Sequence, residues 1–277
     1  MKIVKIMGGL GNQMFQYAFG YALSRISRDT VLYDVSWFDW AAQNFDVVTV
    51  RKYELGVFRA DVGFASDDEI KRAQSRSLFK PHPIVKEPDL LFHKRLLRKS
   101  GNYFEGYFQC EKYFGAFRND ILGAFQLRDG LDKANAEICE NMKSCNSVSL
   151  HIRRGDYVNL THIYGTCDME YYAHALDIIV ARAGTPNVFV FSDDPSWVRD
   201  NLKIKYPWTM VDINDGDRAF MDMELMRNCR HNIIANSSFS WWGAWLNQNP
   251  GKIVIAPKNW FSNGTKTDII PDSWLKI

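Results

Sequence analysis

The sequence predicts an α/β protein of two domains, each built on a parallel sheet, and three observations carry that expectation. The chain has 277 residues, which is long for one core and comfortable for two. From residue 147 onward short apolar runs alternate with helical periods, the rhythm of a parallel sheet. The amino terminus opens with an apolar strand, a glycine-rich turn and a helical pattern.

Residues 2–7 read as a buried strand, followed by Gly8-Gly9-Leu10-Gly11-Asn12-Gln13 and a helix to about Arg28. Phe15, Ala18, Phe19, Ala22 and Ile26 share one face of that helix. The glycines let a backbone approach a ligand, with helix N–H groups aimed at any anion, and Asn12 has the residue type of an N-cap. A second strand, Thr30 to Tyr33, ends at Asp34. Residues 35–100 carry weaker signals: Pro81, Pro83 and Pro88 mark loops, and Leu90–Lys99 has the mix of an amphipathic basic helix. Residues 103–108 read as a strand, 111–126 and 131–143 as helices, and the domain boundary falls near Ser144–Asn146, giving domains 1–145 and 146–277.

The second half repeats one unit. Strand 147–152 leads to a helix at about 168–182, and strand 187–191 ends in Ser192-Asp193-Asp194 ahead of a helix near 195–202. Strand 208–212 precedes a helix around 218–229. Strand 231–235 ends in Asn236-Ser237-Ser238, opening a helix with Trp241, Trp242 and Trp245, and strand 252–256 closes at Pro257. Ligands bind outside the carboxyl ends of strands in such sheets, so these short polar runs converge on one edge.

Composition narrows the class. A net charge of +2 gives nucleic acid no general attraction, although a diphosphate needs only a local positive cluster. Five scattered cysteines, without metal-ligand spacing, fit reduced thiols in a cytosolic protein. No run approaches the roughly 18 apolar residues of a membrane span, and no signal-peptide core follows the first strand. A cytoplasmic location is therefore expected.

The chemistry is concentrated at His151-Ile152-Arg153-Arg154-Gly155-Asp156-Tyr157. Guanidinium forks grip phosphate oxygens bidentately, and this pair stands where a strand should end. Ser237 and Ser238 are either helix caps or further phosphate contacts. Asp193 orients the arginine loop or binds a nucleotide hydroxyl, and Asp222 accepts from a guanine N1/N2 edge or makes a helix-face salt bridge. Asp193, Asp194 and the pair Asp215 and Asp217 have the chemistry of metal ligands, but two arginines already bring the charge a divalent ion would supply. Departure of a diphosphate from a sugar, assisted by fixed positive charge, fits this set.

Four segments resemble the bacterial α-1,2-fucosyltransferases of glycosyltransferase family 11: residues 8–13, His151 to Tyr157, Phe191-Ser192-Asp193-Asp194, and Asn236-Ser237-Ser238-Phe239-Ser240-Trp241-Trp242-Gly243. The resemblance implies a GT-B-like fold, two Rossmann-like domains facing across a cleft, acceptor side first and GDP-fucose side second. It implies inverting, metal-independent transfer of L-fucose from GDP-β-L-fucose to the 2-hydroxyl of a galactose residue in a glycan, in bacterial surface polysaccharide or O-antigen synthesis. By the same resemblance Arg154 grips the β-phosphate. His151 and Arg153 support nucleotide and loop, with Asn236, Ser237, Ser238 and Phe239 on the donor side. Asn12 faces the reacting centre from a loop that includes Gly9, Gly11 and Gln13. Asp156 is either the base or the residue that holds Arg154. The membrane anchor of the animal members is missing, which implies a soluble enzyme at the cytoplasmic face. Residues 90–99 would then offer peripheral contact with a membrane carrying a lipid-linked acceptor.

Three rivals stand beside this reading: a fucosyltransferase of other linkage, a non-catalytic sugar-binding protein, and an NAD-dependent dehydrogenase. For the last, Asp34 is suitably placed, but the G-x-G-x-x-G fingerprint fails at Met14. The acceptor glycan and the oligomeric state are not legible.

Overall fold

The computed structural model describes residues 1–44, 50–76, 81–155 and 167–277. The chain divides into two compact units, Met1–Gly130 with Thr267–Pro271, and Leu131–Lys266 with Asp272–Ile277.

The first unit begins with β1 (Lys2–Lys5), α1 (Leu10–Ser27) and β2 (Val31–Asp34). α1 buries Met14, Phe15, Ala18, Phe19, Ala22 and Leu23 completely, whereas Ile26, expected on that face, is exposed in the last turn. Then come α2 (Ser36–Gln43), α3 (Asp67–Gln74), β3 (Ile84–Lys86), β4 (Tyr103–Glu105) and α4 (Arg118–Ala124). Among the described residues the strands form a parallel four-stranded sheet in the order β2-β1-β4-β3.

Two helices expected from the sequence change in this unit. Residues 90–99 do not form an amphipathic helix: only a 3₁₀ turn, Lys94–Arg98, is present, and neighbouring Leu96 and Leu97 both go into the core. The entry to that turn is fixed from outside by the Tyr113 hydroxyl, which accepts the His93 N–H at 3.0 Å. Pro81, Pro83 and Pro88 do lie in loops, and between the last two runs β3, an edge strand that the sequence did not announce. The helix expected over 111–126 is broken into 3₁₀ turns at Glu111–Tyr113 and Gly115–Phe117 ahead of α4, since adjacent Tyr113 and Phe114 are both drawn inward.

The second unit follows the sequence closely. Its elements are α5 (Lys133–Ser144), β5 (Ser147–Ile152), α6 (Met169–Ala183), β6 (Asn187–Ser192), α7 (Pro195–Asn201), β7 (Trp208–Met210) and α8 (Ala219–Asn228). β8 (His231–Ile233), α9 (Ser238–Leu246), β9 (Val254–Ala256) and β10 (Leu275–Lys276) complete it. Among the described residues the sheet is six-stranded and parallel throughout, in the order β10-β9-β8-β5-β6-β7. Both units are Rossmann-like in their parallel βα construction.

The boundary lies at Gly130/Leu131 rather than 145/146, because α5 belongs to the second core. Cys139 and Met142 pack with Phe189, Phe191, Leu225 and Met226, and Asn135 exchanges two amide hydrogen bonds with Asn214 at 2.9 and 2.7 Å. The chain also returns to the first unit late: the Asp268 carboxylate accepts the Phe92 N–H at 2.8 Å. Among the described residues no helix is long and apolar enough to cross a membrane.

β5 is the buried centre of the second sheet. Val148, Leu150 and Ile152 join Tyr172, Ala175, Leu176 and Ile179 of α6 in one cluster, each fully buried Val, Leu or Ile contributing about 1.5–3 kcal/mol. The alternate positions are polar. Ser147 accepts the Arg230 N–H at 3.0 Å, Ser149 accepts from Asn232 at 2.7 Å, and His151 comes last, at the strand's carboxyl end.

Candidate active site

Strand order singles out one place in the second unit. From β5 the sheet grows through β6 and β7 on one side and through β8, β9 and β10 on the other. The reversal, between β5 and β8, is the topological switch point at which open α/β sheets bind ligands. Arg153 and Arg154 follow β5, and Asn236 to Ser238 follow β8, so the sequence expectation of convergence is met in this unit.

The arginines are held by carboxylates from the end of β6. Arg153 Nη1 lies 2.9 Å from Asp193 Oδ2, and Asp193 Oδ1 accepts the Arg154 N–H at 2.9 Å. Arg154 Nε lies 3.3 Å from Asp194 Oδ2, and its guanidinium carbon sits 3.7 Å from the centroid of the Trp197 ring. The terminal Nη1/Nη2 end of Arg154 meets no partner among the described residues. That end is the one that reaches two oxygens at once. Asp193 also explains Gly155, since a Cβ there would clash with Asp193 Oδ2. Of the two readings of Asp193, orienting the arginine loop is the one its contacts display. Asp156 lies outside the described residues.

His151 is buried, and its Nδ1 has no hydrogen-bond partner among the described residues. Burial pushes its pKa down to about 4; Asp193 pulls it up and Arg153 pushes it further down. The ring is therefore neutral near pH 7, and it brings a hydrogen-bonding nitrogen rather than a charge.

Across the switch point Ser237 caps α9, its hydroxyl accepting the Phe239 N–H at 3.3 Å. Asn236 is buried, and its amide donates to the Trp260 carbonyl at 3.0 Å. Ser238 and Phe239 are partly exposed, with Phe239 at 6.0 Å from the His151 ring. Among the described residues Asp222 makes no helix-face salt bridge; it accepts from the Asn214 amide at 2.8 Å. Burial pushes its pKa up to about 7 against that hydrogen bond, with nearby Asp212 adding to the rise. Among the described residues no group of three or more His, Cys, Asp or Glu is placed to hold a metal ion.

In the first unit the glycine loop lies at the carboxyl end of β1. Gly8 has φ +78°, and a Cβ on it would meet Asn12 Nδ2 at 2.8 Å, so the left-handed turn and the close side chain both require glycine. Gln13 was expected beside an acceptor, but it is fully buried and spends its amide on the main chain. It donates to Gly8 O at 2.9 Å and Lys52 O at 2.8 Å and accepts from Glu54 N at 2.8 Å. Its contribution is to hold the loop. Gly9 and Gly11 flank Leu10 at the start of α1, and Asn12 accepts from Gln109 at 2.8 Å. Asp34 has both oxygens engaged, by the Tyr103 hydroxyl at 2.5 Å and the Ser36 N–H at 2.9 Å. A ribose contact is thus lost, and with it the main support for a dehydrogenase.

The sequence profile of Glycosyl transferase family 11 matches residues 88–277. The chain belongs to this family. Two relatives from Escherichia coli are each 34% identical: the O-antigen biosynthesis glycosyltransferase WbnK, over 98% of this chain and 99% of that protein, and an alpha-1,2-colitosyltransferase, over 99% and 98%. The mouse galactoside 2-alpha-L-fucosyltransferase Sec1 is 26% identical over 89% of this chain and 64% of its own length. Among solved structures, the fucosyltransferase NodZ from Bradyrhizobium shares the fold, with a TM-score of 0.51 at 16% identity over 87% of this chain and 90% of NodZ. The family 11 chain is therefore a glycosyltransferase with a GT-B-like fold. Trp197, Gln109 and Asn214 were not singled out from the sequence. Only Trp197 carried a signal, as the third residue after Asp194 at a helix start, and an ordinary core aromatic looks the same.

Proposed function

We propose that the protein transfers L-fucose from GDP-β-L-fucose to the 2-hydroxyl of a galactose residue in a glycan, inverting the anomeric centre without a metal ion, in O-antigen or related surface polysaccharide synthesis. The observation that carries it is the presentation of the Arg154 Nη end at the switch point of the second unit. Negative charge develops on the β-phosphate as the glycosidic C–O bond breaks, and a pre-placed guanidinium stabilises it without reorganisation. With the neighbouring Arg153, the chain supplies charge that a divalent ion would otherwise bring.

The other residues divide the work. Neutral His151 offers a nitrogen to the nucleotide, and Ser238 and Phe239 complete that side. Asp222, partly buried and easily protonated, gains when its carboxylate receives guanine N1–H and N2–H donors. Asn12 meets the acceptor side of the reaction. Arg154 is already held by Asp194 and Trp197, which supports Asp156 as the base that takes the proton from the acceptor hydroxyl. The relatives' names support an α-1,2 linkage and, in the mouse protein, a galactoside acceptor and fucose.

A second donor reading, transfer of colitose (L-fucose lacking its 3-hydroxyl), is favoured by the 34% identical colitosyltransferase. Purified protein incubated in EDTA with a panel of β-galactosides and either GDP-fucose or GDP-colitose separates the two. The expected result is GDP release and an α-1,2-fucosyl product. Transfer from GDP-colitose alone would replace the donor assignment, and turnover restored only by manganese would overturn metal independence.

A further inference from the structure

Arg154 is gripped by one turn of α7. Asp194 caps that helix, taking the Trp197 N–H on Oδ1 at 3.1 Å while its own N–H goes to Ser192 Oγ at 3.0 Å. The same turn therefore offers Arg154 two things: the Asp194 Oδ2 edge, 3.3 Å from Nε, and the face of the Trp197 ring, 3.7 Å from the guanidinium carbon. An edge contact to Nε leaves the guanidinium free to tilt. A flat ring beneath it removes that freedom, because the cation is attracted to the π-face and the two planes settle in contact. The ring also adds no negative charge, so it restrains the arginine without competing with an anion for it. Asp194 does compete, but it is 40% exposed and partly screened.

We propose that Trp197 is a positioning residue for the donor diphosphate, fixing the plane of Arg154 so that its Nη1 and Nη2 address two phosphate oxygens together. The assignment rests on the role given to Arg154 above. It also explains why a tryptophan stands in the first turn of a short helix with its ring against a charged side chain instead of wholly in the core.

Calorimetric titration of the full chain with GDP and with GMP tests it, because only GDP carries the β-phosphate. Arg154→Ala is expected to weaken GDP at least tenfold and GMP less than twofold. Trp197→Leu keeps apolar bulk but removes the ring face; it is expected to weaken GDP five- to tenfold with GMP again within twofold. Trp197→Phe keeps a ring and should stay within threefold of wild type for both. The double variant Arg154→Ala/Trp197→Leu should bind GDP no more weakly than Arg154→Ala alone, since a shelf without its arginine has nothing to position. Equal losses for GDP and GMP in Trp197→Leu, or additive losses in the double variant, would overturn the role of Trp197 while leaving that of Arg154 intact. If Arg154→Ala binds GDP and GMP as wild type does, the phosphate role of Arg154 itself falls.

Discussion

The loops after β1 and β5 solve the same geometric problem with different chemistry. Each leaves the carboxyl end of a strand in a parallel sheet, and each is fixed by residues distant in sequence. After β1 the fixing groups are neutral amides: Gln13 ties Gly8 to the main chain at 52 and 54, and Gln109 holds Asn12. After β5 they are charges, with Asp193 and Asp194 against Arg153 and Arg154. Amide braces inside a core are indifferent to salt and to pH. Partly exposed ion pairs are exchangeable, so phosphate oxygens can approach the same cations without a new cavity being built. The first arrangement suits a loop that must keep its shape, the second a loop that must take up and release an anion.

That contrast can be broken from either side. The largest effect is expected from Arg154→Ala, which removes the charge presented to the leaving group and should lower turnover about 10²–10³-fold, or roughly 2.7–4 kcal/mol, by analogy with the loss of one oxyanion donor; steady-state kinetics on a galactoside acceptor checks it. Gln13→Leu acts on stability, not on charge. It leaves buried main-chain groups at 8, 52 and 54 unpaired and should cost about 1–3 kcal/mol in denaturant unfolding, with little change in GDP affinity. A variant that lost GDP binding but no stability would erase the distinction between the loops. Gly155→Ala places a methyl against Asp193, and about a tenfold loss of GDP affinity, roughly 1.4 kcal/mol, is expected by titration.

The smallest effect concerns Asp222. Its carboxyl is pushed up to about 7 from an ordinary value of 3.8, so between those pH values the folded state binds more protons than the unfolded chain. Its stabilising contribution is present below about pH 4 and is lost as pH rises through about 7. Asp222→Asn should flatten that slope, so thermal unfolding at pH 8 gains on wild type relative to pH 5. Parallel stability curves for the two proteins would remove Asp222 as the cause.

The second unit was largely legible because two of its strands, β5 and β6, are six-residue runs that end ahead of polar residues, the first apolar at alternate positions and the second throughout its interior. Asp194 and Ser237 cap the helices their types announce. The first unit was less so. β3 has three residues with a half-exposed pattern, and 3₁₀ turns have no period long enough to read. One missed helix was written plainly: Ser66-Asp67-Asp68-Glu69 is a capping box, formed in full at the start of α3. The arginine pair was visible as a motif and Asp193 as a candidate brace for its loop, but the Asp194 and Trp197 contacts to Arg154 were not, because they depend on β5 and β6 lying side by side. The domain boundary was misplaced for a related reason: α5 is joined to the second core through Asn135 and Met142, contacts made with residues far along the chain.

The late return of Thr267–Pro271 to the first unit bears on how the molecule is made. Asp268 hydrogen-bonds the main chain at 90 and 92, through its own N–H and its carboxylate, so a ribosome must deliver all of the second unit's sheet but its last strand before the first unit can be finished. Removing residues 267–271 would therefore injure a unit whose other residues, 1–130, are made long before them.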